Sequence, residues 1–91
     1  MKLRPIHYAL LDAVKDIPMD TAFFYGRKLG YHTSNAGVRL RHMEQHGLVR
    51  SYRVTKLVLS VGGGHYPKEV SVWDITRKGK EHLKNECRRA D

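Results

Sequence analysis

Ser34, Asn35, Val38, Arg39, Arg41 and His42 lie within one span of nine residues. All but Val38 carry groups that donate or accept hydrogen bonds, and Val38 suits contact with a thymine methyl. Arginine presents a planar fork of donors that fits guanine O6 and N7, and asparagine pairs with adenine in the same two-point manner. Together these side chains are what a helix needs to read base edges in a major groove. Wound on a helix, Ser34, Val38, Arg41, His42 and Gln45 share the outer face, with Asn35 and Arg39 on its flanks. A plainer reading competes with this one, because one apolar and one polar face make the ordinary surface helix of any small domain.

The element that must carry these residues runs from Tyr31 to Val49. Thr33 or Ser34 is expected to cap its first turn, since a hydroxyl accepts a bond from an unpaired backbone N–H. Gly47 suits the left-handed position that ends a helix. Ala36, Leu40 and Met43 recur at i, i+4 and i+7 and form the stripe that faces a core. The spacing predicts a helix over 33–46.

The other elements follow the same logic. Pro5 suits the first position of a helix over 5–17, whose stripe is Ile6, Ala9, Leu10, Ala13, Val14 and Ile17, with His7 and Tyr8 at the solvent edge and Pro18 stopping it. Asp20 is expected to cap a second helix over 21–29, ended by Gly30. Phe23, Phe24 and Tyr25 crowd three aromatics into one turn, and core packing is their expected role. Two short helices joined by Gly30, Tyr31 and His32 make a helix-turn-helix, with Gly26 allowing close approach and Ala36 packing into the junction. From Leu48 the pattern changes to strand formers, turns at Gly62, Gly63 and Gly64, and returns through Val70–Ile75, a hairpin over 48–76. A phosphate-binding loop needs a lysine and a hydroxyl residue opening a helix after such glycines, and neither is there. Thr76 caps a last helix over 77–89, where Leu83 and Cys87 lay a narrow apolar stripe on the core or on a partner chain.

Composition narrows the function. Ninety-one residues with 41% hydrophobic content allow one domain with a small core, over 1–91. No apolar run approaches a membrane span, the start has no apolar signal-peptide segment, and the lone Cys87 rules out an intrachain disulfide, so a cytoplasmic protein is expected. The formal charge is +8, and residues 21–68 hold eight Lys and Arg against a single acid, Glu44. A basic segment centred on a groove-reading helix fits a polyanion, because such binding rests on phosphate neutralisation.

Two stretches resemble a known family. Leu40-Arg41-His42-Met43-Glu44-Gln45-His46-Gly47-Leu48-Val49 resembles the "L-x-x-L-E-x-x-G-L-V" end of a recognition helix in winged helix-turn-helix proteins. Val72-Trp73-Asp74-Ile75-Thr76-Arg77-Lys78-Gly79-Lys80-Glu81 resembles the "W-x-L-T-x-x-G-K-E" passage from wing to final helix. With Gly26, Gly30 and Ala36 the likeness covers nearly the whole chain. It implies an α+β winged helix-turn-helix: a three-helix core, a two-stranded β-wing and a C-terminal helix, as in small MarR, PadR and ArsR regulators of transcription. It implies base reading by Ser34, Asn35, Val38, Arg39, Arg41 and His42. It implies backbone or minor-groove contacts by Arg27, Lys28, Thr33 and Lys56, and by a wing tip with Gly63, His65, Tyr66 and Lys68. Three departures stand out. The long dimerisation helices of the MarR kind and the paired cysteines of the ArsR kind are not seen, and Val38 sits where a polar residue is usual.

Other chemistries fare less well. His42 and His46 have the i, i+4 spacing of metal ligands, but no cysteine or acidic pair completes a set. No nucleophile, base and orienting acid occur together, and nothing activates Cys87, so neither an enzyme, a metal nor a cofactor is expected. The alternative within the fold is a protein–protein adaptor, which would show exposed apolar residues or acids on the third helix. RNA is disfavoured because the A-form major groove does not admit a helix. The expected partner is double-stranded DNA, bound by a homodimer whose contact surfaces are Leu57-Val58-Leu59 and the terminal helix. No effector is specified.

Overall fold

The computed structural model describes residues 2–90, with the side chains of 86–90, Cys87 among them, outside the described residues. Its elements are α1 (Pro5–Asp16), α2 (Ala22–Leu29), α3 (Thr33–Gln45), β1 (Val49–Leu59), β2 (His65–Ile75) and α4 (Arg77–Ala90). β1 and β2 form one antiparallel hairpin, in register from Val49 opposite Ile75 to Leu59 opposite His65.

α1 starts at Pro5, whose fixed φ suits a first helical position. Leu10, Leu11 and Val14 are fully buried, while Ile17 lies past the helix end and is 36% exposed. The core stripe is therefore shifted from the expected one, and it includes a polar residue. His7, expected at the solvent edge, is 2% exposed. It falls at i, i+3, i+4 and i+7 with Leu10, Leu11 and Val14, so helical geometry takes it inward whatever its polarity. Its Nδ1 accepts the Arg4 N–H at 3.0 Å and closes the first turn, while its Nε2 has no partner.

Before α2, Asp20 is drawn into an extended bridge with Trp73. Trp73 N–H donates to Asp20 O at 3.0 Å, and Met19 N–H donates to Trp73 O at 2.8 Å. The expected Asp20 cap is thereby replaced: Thr21 Oγ1 accepts the Phe24 N–H at 3.2 Å, and Asp20 Oδ1 accepts the Thr21 N–H at 2.8 Å. The three aromatics of α2 divide their roles. Tyr25 is fully buried; its hydroxyl donates to Ile17 O at 2.5 Å and accepts the Asp20 N–H at 3.1 Å. Burial raises its pKa above the ordinary value. Phe24 packs edge-on against Tyr25 with ring centres 5.6 Å apart, and Phe23 is 57% exposed.

α2 ends at Gly30, with φ 80°. A Cβ on Gly26 would lie 2.8 Å from Tyr31 O and 3.4 Å from Ala36 Cβ, so its hydrogen is what lets α3 close on α2. The cap of α3 is neither Thr33 nor Ser34. His32 Nδ1 accepts the Ser34 N–H at 3.1 Å from the residue just outside the helix, and the expected hydroxyls fall inside the first turn.

The far end of α3 is held from several sides. Leu48 N–H donates to Met43 O and Gly47 N–H to Glu44 O, both at 2.9 Å, which is a Schellman closure. Glu44 Oε2 accepts from Ser51 N–H at 2.8 Å and from Ser51 Oγ at 2.6 Å, joining helix to wing. Thr76 Oγ1 donates to Gly47 O at 2.5 Å and accepts the Gly79 N–H at 3.1 Å, so one hydroxyl caps α4 and braces the turn. Lys78 Nζ donates to His46 O at 2.9 Å. A Cβ on Gly79 would lie 2.2 Å from Leu48 O and 2.8 Å from Ile75 Cγ1.

Three outcomes are expected. Gly79→Ala must displace backbone as well as side chain, and overpacking of that kind costs about 3 kcal/mol; the urea midpoint should fall with an unchanged slope. Gly37→Ala, whose Cβ would meet only Ala22 Cβ at 3.9 Å, should gain roughly 0.5–1 kcal/mol in the same assay through helix propensity. The third outcome concerns acid. Burial first, then Arg39, His42 and Arg4, lowers the pKa of His7 below 6.5. The folded chain therefore holds His7 neutral where the unfolded chain takes up a proton. The stability this gives is complete above about pH 6.5 and is lost as pH falls toward the lowered value. Urea titrations at about pH 7.5 and 5.5 should show a smaller loss on acidification for His7→Gln than for the native chain.

Candidate nucleic-acid interface

α3 buries Ala36, Leu40 and Met43 completely and turns the remaining faces outward. Ser34, Asn35, Arg41 and His42 are exposed, and Val38 is 49% exposed. Steps of about 100° per residue place Ser34, Val38 and Gln45 farthest from the core. The same steps separate the two arginines. Arg41 lies on the flank toward the wing, where it lines a cleft with Lys56 and Lys68. Arg39 lies on the flank toward α1, half-buried, with its Nε donating to Asn35 Oδ1 at 3.4 Å. Arg39 and His42 are close enough to His7 for their charges to act on its ring.

The cleft between α2, α3 and the wing has a volume of about 530 Å³. Ala22, Gly37, Val58, Val70 and Trp73 give it an apolar floor, and Thr21, Thr33 and Ser71 add hydroxyls. Lys56 and Lys68 stand directly opposite each other in the register of the two strands. Like charges facing across a sheet repel. Lys56 Nζ has a carboxylate partner at 3.8 Å, Asp20 Oδ1, while Lys68 has none among the described ion pairs. Two lysines and Arg41 thus point a positive field at one open groove.

The remaining candidates lie outside that groove. Arg27 and Lys28 are exposed in the last turn of α2. The wing tip turns through Gly63 at φ 88°, with Ser60 N–H donating to Gly64 O at 2.6 Å. Beside it His65 is exposed and Tyr66 is 46% exposed. Leu57, Leu59 and Val61 on the same hairpin are 71%, 68% and 110% exposed, an apolar outer face. Among the described residues no three His, Cys, Asp or Glu side chains gather where a metal would sit, and no helix is long and apolar enough to cross a membrane. Sequence reasoning missed Thr21 and Ser71, which line the cleft. Neither carried a signal in the sequence, because the cleft forms only when α2, α3 and the wing pack together.

No protein-family model and no curated protein matches the chain. Solved structures do. The PcaV transcriptional regulator from Streptomyces coelicolor, solved with its natural ligand, shares 18% identity over 90% of this chain and 51% of its own, with a TM-score of 0.66. FabT of Streptococcus pneumoniae, solved with DNA, shares 16% identity over 98% and 55%, with a TM-score of 0.67. The zinc-responsive MarR family member ZitR of Lactococcus lactis shares 17% identity over 96% and 53%, with a TM-score of 0.69. The chain spans about half the length of each of these proteins. Three helices closed around Tyr25 and Leu40, a hairpin wing leaving the end of α3, and a fourth helix bracing that junction complete the likeness, and the chain has the MarR-like winged helix-turn-helix fold.

Proposed function

We propose that this chain is a sequence-specific double-stranded DNA-binding protein that regulates transcription, with α3 in the major groove and the wing on the backbone or minor groove. The observation that carries this reading is the pairing of Lys56 with Lys68 across the hairpin, both facing Arg41 on α3. A fold gains nothing from that repulsion by itself. A phosphodiester strand running between helix and wing would turn it into attraction. FabT, of similar fold, was solved with DNA.

In this reading Ser34, Val38 and His42 meet base edges, Asn35 reads adenine and Arg41 reads guanine from the wing-side flank. Arg39 belongs to the base-reading set by residue type, on the opposite flank. Lys56, Lys68 and Thr33 hold the strand in the cleft, while Arg27, Lys28, His65 and Tyr66 add contacts at its margins. A two-fold dimer would match the symmetry of a palindromic site, with the apolar wing face and α4 as its surfaces. The role calls for no catalysis and no cofactor, and its place is the cytoplasm. The adaptor alternative is less well supported, since the outer face of α3 carries no acid and one large apolar residue, Val38.

The test is fluorescence anisotropy on a random-sequence duplex from about 50 to 200 mM salt. Six phosphate contacts give a log–log slope near −5, from roughly −0.9 per contact. Lys68→Ala should weaken all duplexes alike and make the slope shallower by about one unit, whereas Arg41→Ala should cost about 1–3 kcal/mol on a selected site and less on random DNA. Absence of binding even at low salt would turn attention to a protein partner.

A further inference from the structure

The cleft between α2, α3 and the wing offers more than the phosphate strand of a duplex would use. Its volume, about 530 Å³, falls among sites that enclose small molecules, roughly 300–1,000 Å³. A duplex strand turns its bases inward and presents phosphate and sugar to a neighbour. It would engage Arg41, Lys56 and Lys68 and leave the apolar floor of Ala22, Val58, Val70 and Trp73 without a partner.

Small residues make the room. Gly37 sits in the middle of α3, where glycine is unfavourable, and a Cβ there would meet only Ala22 Cβ, at 3.9 Å. Phe23 lines the same cleft and is 57% exposed, whereas Tyr25 is buried and Phe24 packs against the core. An exposed aromatic beside an apolar floor suits a flat ring, which can stack on it.

The polar groups add a second requirement. Asp20 Oδ1 lies 3.8 Å from Lys56 Nζ and accepts the Thr21 N–H at 2.8 Å. Arg41 and Lys68 have no acid partner among the described ion pairs. A phosphomonoester carries about −1.5 to −2 charges near pH 7 and can meet both, where a carboxylate brings a single charge. Thr21, Thr33 and Ser71 line the cleft with hydroxyls, which donate to or accept from the polar edge of a base or a sugar.

We infer that this cleft binds a free nucleoside monophosphate, with the base between Phe23 and the apolar floor and the 5′-phosphate on Arg41 and Lys68. The site makes no use of the glycine turn of the wing. It shares its cations with the phosphate strand of the DNA-binding reading, so nucleotide and duplex exclude each other. Nucleotide binding itself does not depend on that reading.

The chain has one tryptophan, Trp73, and it lies on the cleft floor, so its emission reports occupancy. The test titrates the full chain with adenosine and guanosine 5′-monophosphate, with the two nucleosides and inorganic phosphate alongside, and repeats the titration by equilibrium dialysis. One of the nucleotides should saturate at concentrations about tenfold or more below its nucleoside, the factor that a charged hydrogen bond corresponds to. Lys68→Ala should cost the nucleotide about tenfold and the nucleoside nothing. Phe23→Ala should weaken both by about fivefold or more through lost stacking. Gly37→Leu fills the cleft from α3 and should abolish both in a chain that still unfolds cooperatively. A nucleoside or inorganic phosphate that binds as tightly as the nucleotide, or a folded Gly37→Leu chain that still binds, would overturn the site. Displacement of a labelled duplex by the nucleotide supports the shared cleft. A native chain that binds duplex but no nucleotide overturns the site and leaves the DNA-binding reading intact; one that binds nucleotide but no duplex does the reverse.

Discussion

The contact of Gly79 with Leu48 is the constraint on which the rest of the interface depends. At that point the first turn of α4 lies against the backbone that leaves α3, so closely that no side chain fits between them. Everything near it follows from the approach. Thr76 reaches Gly47 O and Lys78 reaches His46 O, so the carbonyls of the turn that follows α3 are satisfied by groups from a distant part of the chain, while Leu48 and Gly47 N–H close the helix itself. Helix ends that leave carbonyls unpaired fray, and the terminal turns lose their direction. Here the end is fixed, and with it the rotation of the whole outward face of α3.

The same junction orients the wing. Glu44 accepts two bonds from Ser51, and Thr76 N–H donates to Leu48 O at 3.1 Å, so both strands of the hairpin leave from positions set by α3 and its cap. Near the base Val49, Val72, Trp73 and Ile75 are buried, and the sheet is part of the core. Toward the tip both faces are open, and the hairpin depends on its ladder and on Gly63 alone. The wing is thus rigid where it meets the helix and lightly supported where it would meet a partner. The molecule measures 51 Å along its longest axis against 23 and 20 Å across.

Electrostatics add a second layer. The core accepts one polar residue, His7, and holds it neutral by burial and by the positive groups around it. Lys56 opposite Lys68 on the wing brings like charges together by strand pairing, with Asp20 reaching only Lys56. Such arrangements cost stability unless an anion relieves them.

The sequence by itself determined the elements and most of the core. Ala36, Leu40 and Met43 declared their face by spacing, Gly26 and Gly30 marked the tight turn between α2 and α3, and the passages ending in Gly47 and Gly79 marked the wing junction, because local periodicity and glycine's backbone freedom act within a few residues. What the sequence left open were matters of competition between partners far apart in the chain. Asp20 could have capped α2, but Trp73, 53 residues later, drew its backbone into a bridge and left the cap to Thr21. His7 looked like a solvent residue by type, and the packing of α1 on α3 buried it. Arg39 and Arg41 looked equivalent in a list of residues. Only the tertiary structure placed one on the flank toward α1 and the other beside Lys56 and Lys68, because a helix's flanks acquire different surroundings once other elements pack against them.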